Sequence, residues 1–270
     1  MTRTLDGKAA DFLRLHHGDG PLLQPNAWDV GSARILASVG FAAIATTSSG
    51  FAATLGRGDG GVSRDEALAH CRALSAEVDI PVAADLEDCF ASSPDGVAET
   101  VRLAARTGLA GCSVEDFTRD RSAPIHDVSL AADRVRAAVE AAGAALVITA
   151  RAENLLHGVD DLDATVARLQ AYQEAGADVL FAPGIRTIEQ VRAIVSSVDR
   201  PVNVLVVGGS PPVSELAAAG VARISVGGSF AFMAYASLVE AATELQRAGT
   251  VTYPPSLKDA RTVFAEAFRH

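Results

Sequence analysis

Three successive apolar segments of this chain end in charged side chains. The first segment is followed by Asp85 and Glu87. The second ends in Glu115, and the third ends in Arg151 and Glu153. Carboxylates that converge in one place repel each other unless a cation neutralises them, and oxygen ligands of this kind suit a hard ion such as Mg²⁺ or Mn²⁺. These residues therefore predict a metal-dependent enzyme in which Arg151 binds an anion beside the metal.

Short apolar segments alternate with longer amphipathic segments along the whole chain. The apolar segments predict strands at residues 22–24, 42–45, 82–85, 111–115, 146–150, 179–182, 202–206 and 223–226. The amphipathic segments predict helices at residues 30–38, 64–76, 97–106, 130–142, 162–174, 188–198, 213–218 and 230–247. Eight strand–helix units without a linker between them indicate an α/β fold of the (β/α)₈ barrel type, whose active sites lie at the carboxyl ends of the strands.

The C-terminal part of the chain exceeds the eight units. A last helix is predicted at residues 257–268, which packs either across the barrel or onto a neighbouring subunit. We expect residues 1–270 to form one barrel domain with additional C-terminal helices, in which residues 229–270 take part in oligomerisation.

Two long loops follow predicted strands at the end that carries the charges. The loop at residues 46–61 contains glycines and hydroxyls whose backbone N–H groups are suited to a carboxylate or phosphoryl oxygen, and its Asp59 is placed to reach the metal. The loop at residues 117–129 is polar and interrupted by proline. Loops this long in a compact barrel are usually functional, so we expect the second loop to act as a mobile lid.

Composition excludes several classes of function. The chain has 270 residues, 49% of them hydrophobic, and 23 basic against 33 acidic side chains give a net charge of −10. Such an acidic chain lacks the positive surface that nucleic acids and anionic membranes require. Its three cysteines form neither a disulfide framework nor a zinc pattern. Without a signal sequence or an apolar span of about 20 residues, the chain is expected in the cytoplasm.

Several short motifs follow each other along the chain: NAWD at 26–29, SSG at 48–50, Asp59, ADLED at 84–88, VED at 114–116, TARAEN at 149–154 and YQEAGADVLF at 172–181. Their order and spacing resemble the isocitrate lyase / phosphoenolpyruvate mutase superfamily between about residues 25 and 242. The resemblance implies a barrel whose last helix is exchanged between the subunits of homodimers or homotetramers. It also implies Mg²⁺ or Mn²⁺ as cofactor, and a small carboxylate substrate, an oxyacid, that passes through a pyruvyl enolate.

Individual roles follow from the same resemblance. By this resemblance, Asp85 corresponds to the residue that binds the metal directly in the family. Asp59, Glu87 and Glu115 correspond to the residues that hold the metal's water ligands. The predicted catalytic residues are Arg151, which stabilises the enolate charge, and Glu115. The predicted substrate-binding residues are Ser48, Ser49, Gly50, Arg151 and Asn203. For Asn203, a polar residue inside an apolar segment, two interpretations stay open: a hydrogen-bonded core amide or a substrate ligand.

Two departures from the family pattern bear on the reaction. Isocitrate-type lyases carry a Lys-x-Cys-Gly-His loop, whereas this chain has SAPIHD at 122–127 and no cysteine there. Phosphoenolpyruvate mutases carry His and Ser where this chain has FAPGI at 181–185. The sequence therefore favours a lyase or decarboxylase that cleaves a C–C bond without a loop thiol. The alternatives are C–P chemistry, as a phosphonomutase or phosphonopyruvate hydrolase, and a non-catalytic oxyacid-binding protein.

Overall fold

Nine parallel strands form a nearly closed barrel surrounded by helices, in a computed structural model that describes residues 5–254 and 256–269. The strands are β1 (Leu22–Gln24), β2 (Asn26–Ala27), β3 (Ile44–Thr46), β4 (Val82–Ala84), β5 (Gly111–Glu115), β6 (Val147–Arg151), β7 (Val179–Phe181), β8 (Val202–Leu205) and β9 (Arg223–Ser225). Their order in the sheet is β1-β9-β8-β7-β6-β5-β4-β3-β2. The predicted barrel fold is confirmed.

Pro25 divides the first predicted strand into two short ones. On its N-terminal side β1 pairs with β9, and on its C-terminal side β2 pairs with β3. Proline has no N–H to donate to a neighbouring strand, but its carbonyl oxygen still accepts a hydrogen bond from Ala45 N at 2.9 Å. The sheet therefore changes partner at Pro25, which is why nine strands appear where eight were predicted.

Helices lie around the outside of the barrel, and one closes its amino-terminal end. They are α1 (Gly7–Arg14), α2 (Val30–Ser38), α3 (Ser48–Thr54), α4 (Arg64–Glu77), α5 (Pro94–Ala104), α6 (Val128–Ala142), α7 (Leu162–Glu174), α8 (Ile188–Ser197), α9 (Val213–Ala218), α10 (Ser229–Ala248) and α11 (Ser256–Ala267). The predicted starts of α4 and α8 are confirmed, because Ser63 and Thr187 form capping boxes there. The predicted loop at 46–61 is wrong in part, since Thr47 caps α3 inside it.

The amino-terminal end of the barrel is closed by apolar packing. Phe12 of α1 is fully buried and belongs to one cluster with Leu22, Val147 and Val179, at the beginnings of three strands. Since this end is filled with apolar side chains, a polar ligand can reach the interior only from the carboxyl end of the strands.

The two C-terminal helices differ in how much they bury. In α11, packing is against α2 of the same chain, where Arg34 donates from Nε and Nη2 to the carbonyl oxygens of Ala267 and Arg269, both at 2.8 Å. In α10, only Ala231 is buried. Exchange of a helix between subunits stays a prediction. Within the described residues, no helix is both long and apolar enough to cross a membrane.

Candidate active site

Asp85 connects the carboxyl ends of three strands, β3, β4 and β6. One of its carboxylate oxygens accepts from Arg151 Nη1 at 2.8 Å, at the end of β6. The other accepts from the backbone N–H of Ser48 at 3.1 Å, just after β3. Asp85 itself follows β4, and its own N–H donates to Thr46 Oγ1 at 2.9 Å. The predicted convergence of charged residues at the carboxyl end of the barrel is therefore present.

Arg151 contacts two further carboxylates. Its Nε donates to Glu153 at 2.7 Å, and its Nη2 lies 3.2 Å from Glu115. The guanidinium also lies over the ring of Phe181, 5.3 Å from the ring centroid. Burial lowers the pKa of Arg151, but the carboxylates of Glu153, Glu115 and Asp85 outweigh burial, so the pKa is raised well above its usual value. Arg151 is thus a permanent cation in a fixed orientation.

Arg119 links the loop after β5 to the acidic cluster, which consists of Asp85, Glu87, Asp88, Glu115 and Glu153. It donates from Nε and Nη2 to the two oxygens of Asp88, both at 2.9 Å, and from Nη2 to Glu87 at 3.0 Å. Its Nη1 donates to the carbonyl oxygen of Gly60 at 3.2 Å. Sequence reasoning missed Arg119, and the only available signal was an arginine in a polar loop near acidic strand ends. The predicted lid at 117–129 is therefore held against the site by a bidentate ion pair.

The turn after β4 has an unusual backbone. Of the four non-glycine residues with positive φ in the described chain, Glu87, Cys89 and Phe90 lie in this turn, and the fourth is Arg119. Non-glycine residues in the left-handed region cost conformational energy and concentrate at functional sites. The strained turn and the loop it contacts therefore support this location for the site.

Burial and mutual repulsion disfavour the charged forms of the acids. Burial raises the pKa of Glu87 to about 7; Arg119 opposes the rise and Asp85 adds to it. Burial also raises the pKa of Glu115 well above its usual value; Arg151 opposes that rise, and neighbouring carboxylates add to it. The cluster holds more negative charge than the two arginines neutralise, a condition that a divalent cation relieves.

The predicted metal ligands line adjoining cavities. Asp59, Glu87 and Glu115 line an outer cavity of about 670 Å³, and Asp85 lines a small pocket with Glu87. In the part of the chain that the structure describes, no group of three or more His, Cys, Asp or Glu side chains is arranged to hold a metal ion. Arginines instead bind the carboxylate oxygens. The all-oxygen donor set and its excess negative charge fit Mg²⁺ or Mn²⁺, and the individual ligand roles stay predictions.

The segment Ser48-Ser49-Gly50 forms the first turn of α3 rather than a loop. A Cβ on Gly50 would lie 2.6 Å from Thr47 Cγ2 and 2.9 Å from Trp28 Cβ, so close packing explains the glycine. The Ser48 N–H is engaged by Asp85, as described above. Ser48 also lines the outer cavity. Substrate binding by these three residues stays a prediction.

A second, interior cavity of about 110 Å³ lies within the barrel, and Arg151 lines both it and the outer cavity. Asn203 lines the interior cavity, and both ends of its amide are hydrogen-bonded. Its Oδ1 accepts from Arg223 Nε at 2.9 Å, and its Nδ2 donates to Ser225 Oγ at 2.9 Å. The interpretation as a hydrogen-bonded core amide is confirmed, and a substrate contact stays a prediction.

Asp116 lies outside the cluster although it follows Glu115 directly. Its oxygens accept from the Glu153 N–H at 2.8 Å, from Arg168 Nη1 at 3.1 Å and from the Tyr172 hydroxyl. Adjacent side chains of a strand point to opposite faces, so Glu115 faces the cavity and Asp116 faces the helices. Asp116 is a positioning residue that holds the backbone after β6.

Comparison with known proteins finds relatives over most of the chain. The family model described as phosphoenolpyruvate phosphomutase matches residues 12–246. 2-Methylisocitrate lyase of Escherichia coli (strain K12) is 33% identical over 205 residues, covering 72% of this chain and 68% of that enzyme. The structure of a suspected lyase/mutase from Burkholderia cenocepacia J2315 is 45% identical, with a TM-score of 0.90 and 96% of each chain covered. That of 2,3-dimethylmalate lyase is 28% identical, with a TM-score of 0.83, covering 97% of this chain and 99% of the other.

Proposed function

We propose a function from the premise that the chain belongs to the phosphoenolpyruvate phosphomutase family. The proposed function is that of a Mg²⁺-dependent enzyme that cleaves a C–C bond. The reaction passes through the enolate of a pyruvate-like 2-oxo or 2-hydroxy acid. The superfamily consists of lyases, mutases and hydrolases, and members bind Mg²⁺. One observation carries the proposal. Arg151 lines both cavities and is held by the carboxylates of Asp85, Glu115 and Glu153.

Asp85 would be the direct ligand of the metal, and Asp59, Glu87 and Glu115 would hold its water ligands. A bound divalent cation supplies positive charge to the oxygen on which the enolate charge develops. Arg151 donates N–H groups to the same developing charge, and its three carboxylate contacts keep the guanidinium oriented before the substrate arrives. Such preorganised charge is commonly the largest catalytic contribution.

The end of β7 favours C–C over C–P cleavage. Phe181, the last residue of β7, and Pro183 beyond it line the interior cavity with apolar surface at the position where phosphoryl recognition would call for hydrogen-bond donors. Two of the relatives described above, 2-methylisocitrate lyase and 2,3-dimethylmalate lyase, are lyases by name. A phosphonomutase or phosphonopyruvate hydrolase is the second candidate, and a non-catalytic oxyacid binder is the third.

The cysteines support a mechanism without a thiol. Cys71, Cys89 and Cys112 are all buried. Burial raises the pKa of the Cys71 thiol to about 12 and that of Cys89 well above its usual value. Because the thiolate is the reactive form, neither of these two residues is suited to act as a nucleophile or base at neutral pH.

We also propose that the protein is a homodimer or homotetramer whose contacts include α10. Five large apolar side chains of this helix are at least half exposed, namely Phe232 at 50%, Met233 at 65%, Leu238 at 63%, Val239 at 63% and Leu245 at 56%. Several large exposed apolar side chains on one helix are typical of an interface between subunits. Sedimentation equilibrium tests the proposal, and a monomer at micromolar concentration would contradict it.

Pyruvate release from four acids tests the proposed activity. The acids are oxaloacetate, 2-methylisocitrate, 2,3-dimethylmalate and phosphonopyruvate, each assayed with Mg²⁺ and with EDTA. Mg²⁺-dependent release from any of the first three, above the rate without enzyme, supports C–C cleavage. Release of pyruvate from phosphonopyruvate alone, or its conversion to phosphoenolpyruvate, supports the second candidate. Tight binding of oxalate by calorimetry, without turnover of any acid, supports the binder.

A further inference from the structure

Arg223 is a buried cation beside the interior cavity. It begins β9, it is 5% exposed, and it lines the cavity together with Thr149 and Asn203. Its Nε donates to Asn203 Oδ1 at 2.9 Å, its Nη2 donates to Thr149 Oγ1 at 3.2 Å, and its Nη1 lies 3.3 Å from His16 Nε2. Asn203 and Thr149 are uncharged.

His16 is uncharged as well. Its Nδ1 lies 2.9 Å from the carbonyl oxygen of Phe12, which can only accept, so Nδ1 carries the hydrogen. The Nε2 atom then has a free electron pair and accepts from Arg223. Burial, and after it the charge of Arg223, lowers the pKa of His16 to about 3.

No carboxylate compensates Arg223 in the part of the chain that the structure describes, because none of the ion pairs found there includes it. Burial lowers its pKa to about 9, and no acidic neighbour offsets that effect. Asp85 is the acidic residue that lines the same cavity, but its oxygens accept from Arg151, Ser48 and Glu87. A buried unpaired charge is costly, and an anion beside it removes the cost.

We propose that Arg223 binds a carboxylate group of a ligand at the floor of the interior cavity. A guanidinium has five N–H donors, of which three are used here, and its planar shape matches a carboxylate. The cavity of about 110 Å³ holds several groups the size of water. With Arg151 lining the same cavity, the favoured ligand is a small dicarboxylic acid, one end at each arginine. Only the placement of the second carboxylate at Arg151 rests on the proposed function.

Thermal unfolding of the metal-free protein in EDTA tests the floor site alone. Acetate, compared with chloride at equal ionic strength, is expected to raise the melting temperature of the wild type by about 2–4 °C at about ten times its dissociation constant. Arg223→Met is expected to abolish this rise. Asn203→Asp places a carboxylate beside Arg223, so it is expected to raise the melting temperature without acetate and to abolish the response to it.

Arg102→Met is the matched control, because it removes an exposed arginine that pairs with Glu99 on α5. It should keep the wild-type response. If acetate has no effect on the wild type, or if Asn203→Asp and Arg223→Met respond as the wild type does, carboxylate binding by Arg223 is wrong. A larger rise with inorganic phosphate than with acetate would also overturn it.

Titration calorimetry in the presence of Mg²⁺ tests whether the ligand of the interior cavity is a dicarboxylic acid. 2-Oxoglutarate and 2-oxovalerate differ only in the distal carboxylate, and the wild type is expected to bind the first at least tenfold more tightly. Arg223→Met should remove that difference without changing the affinity for 2-oxovalerate, and equal affinities in the wild type would overturn the dicarboxylate assignment. An acetate response without binding of either 2-oxo acid would leave the floor site standing and contradict the proposed function.

Discussion

Arg151 and Arg223 are two arginines of the same barrel interior with opposite surroundings. Arg223 donates to Thr149, which precedes Arg151 by two residues on β6 and therefore lies one inward-facing position below it. Arg151 contacts three carboxylates, whereas the hydrogen-bond partners of Arg223 in the described part of the chain are neutral. The rim of the cavity, which is formed by Arg151 and the carboxylates that contact it, has an excess of negative charge. The floor of the cavity, at Arg223, has an excess of positive charge. The contrast supports the proposed metal cation at the rim and the proposed anionic group at the floor.

The largest expected effect is that of Arg151→Met. It should reduce Mg²⁺-dependent kcat/KM by roughly a hundredfold or more, about 3 kcal/mol of transition-state energy, by analogy with the loss of one oxyanion donor. Steady-state kinetics measures the loss, with circular dichroism as the check on folding. Arg102→Met again serves as the control, and an Arg151→Met enzyme within threefold of wild type would contradict the proposed role of the rim.

Asp85→Ala should abolish Mg²⁺-dependent activity, a loss of about a hundredfold or more, because it removes the proposed direct ligand. The fold should remain intact, since one of several repelling carboxylates is removed. Asp85→Asn is the matched variant, as its amide oxygen still accepts from the Ser48 N–H. Retention of full activity in both variants would show that the metal is bound elsewhere.

The floor is expected to make stability depend on pH through His16. Its pKa is about 3 in the folded protein and about 6.5 when unfolded. As far as His16 is concerned, the free energy of unfolding is therefore at its maximum above pH 6.5. It decreases as the pH falls from 6.5 towards 3, because the unfolded chain binds a proton that the folded protein does not. Each histidine of this kind changes the unfolding free energy by at most about 1.4 kcal/mol per pH unit.

Urea unfolding at pH 7, 6 and 5 measures this slope. His16→Gln should flatten it, because glutamine does not titrate in this range. His70 adds to the slope in the same direction, since burial lowers its pKa to about 4. An unchanged slope in His16→Gln would mean that His16 is not held neutral beside Arg223.

The smallest expected effect is that of replacing the cysteines near the interior cavity by alanine. Cys112 lines the interior cavity, and Cys89 packs behind it with its Sγ 3.7 Å from the Ser113 carbonyl oxygen. Cys112→Ala and Cys89→Ala should leave kcat within about twofold, because the charged groups of the rim carry the chemistry. A tenfold loss in either variant, without a loss of structure, would restore a thiol mechanism and weaken the assignment of function to charged residues.

Local pattern predicted much of the molecule. The positions of strands and helices, the barrel and the grouping of Asp85, Glu115 and Arg151 at one end all follow from periodicity and from charged strand ends. The helix at Ser48–Thr54 was missed, because its glycine and hydroxyls are equally typical of a loop. Arg119 was missed because its position depends on how a long loop folds back over the turn after β4.

The sequence by itself determined which residues lie on which element, since turns, caps and the two- and 3.6-residue periodicities are local properties. Only the tertiary structure decided which charges meet. Strand register and closure of the barrel place Arg151 among three acids and leave Arg223, in an ordinary apolar segment, among neutral partners. The reason is physical: charge interactions depend on distance and burial in space, and neither can be read from spacing along the chain.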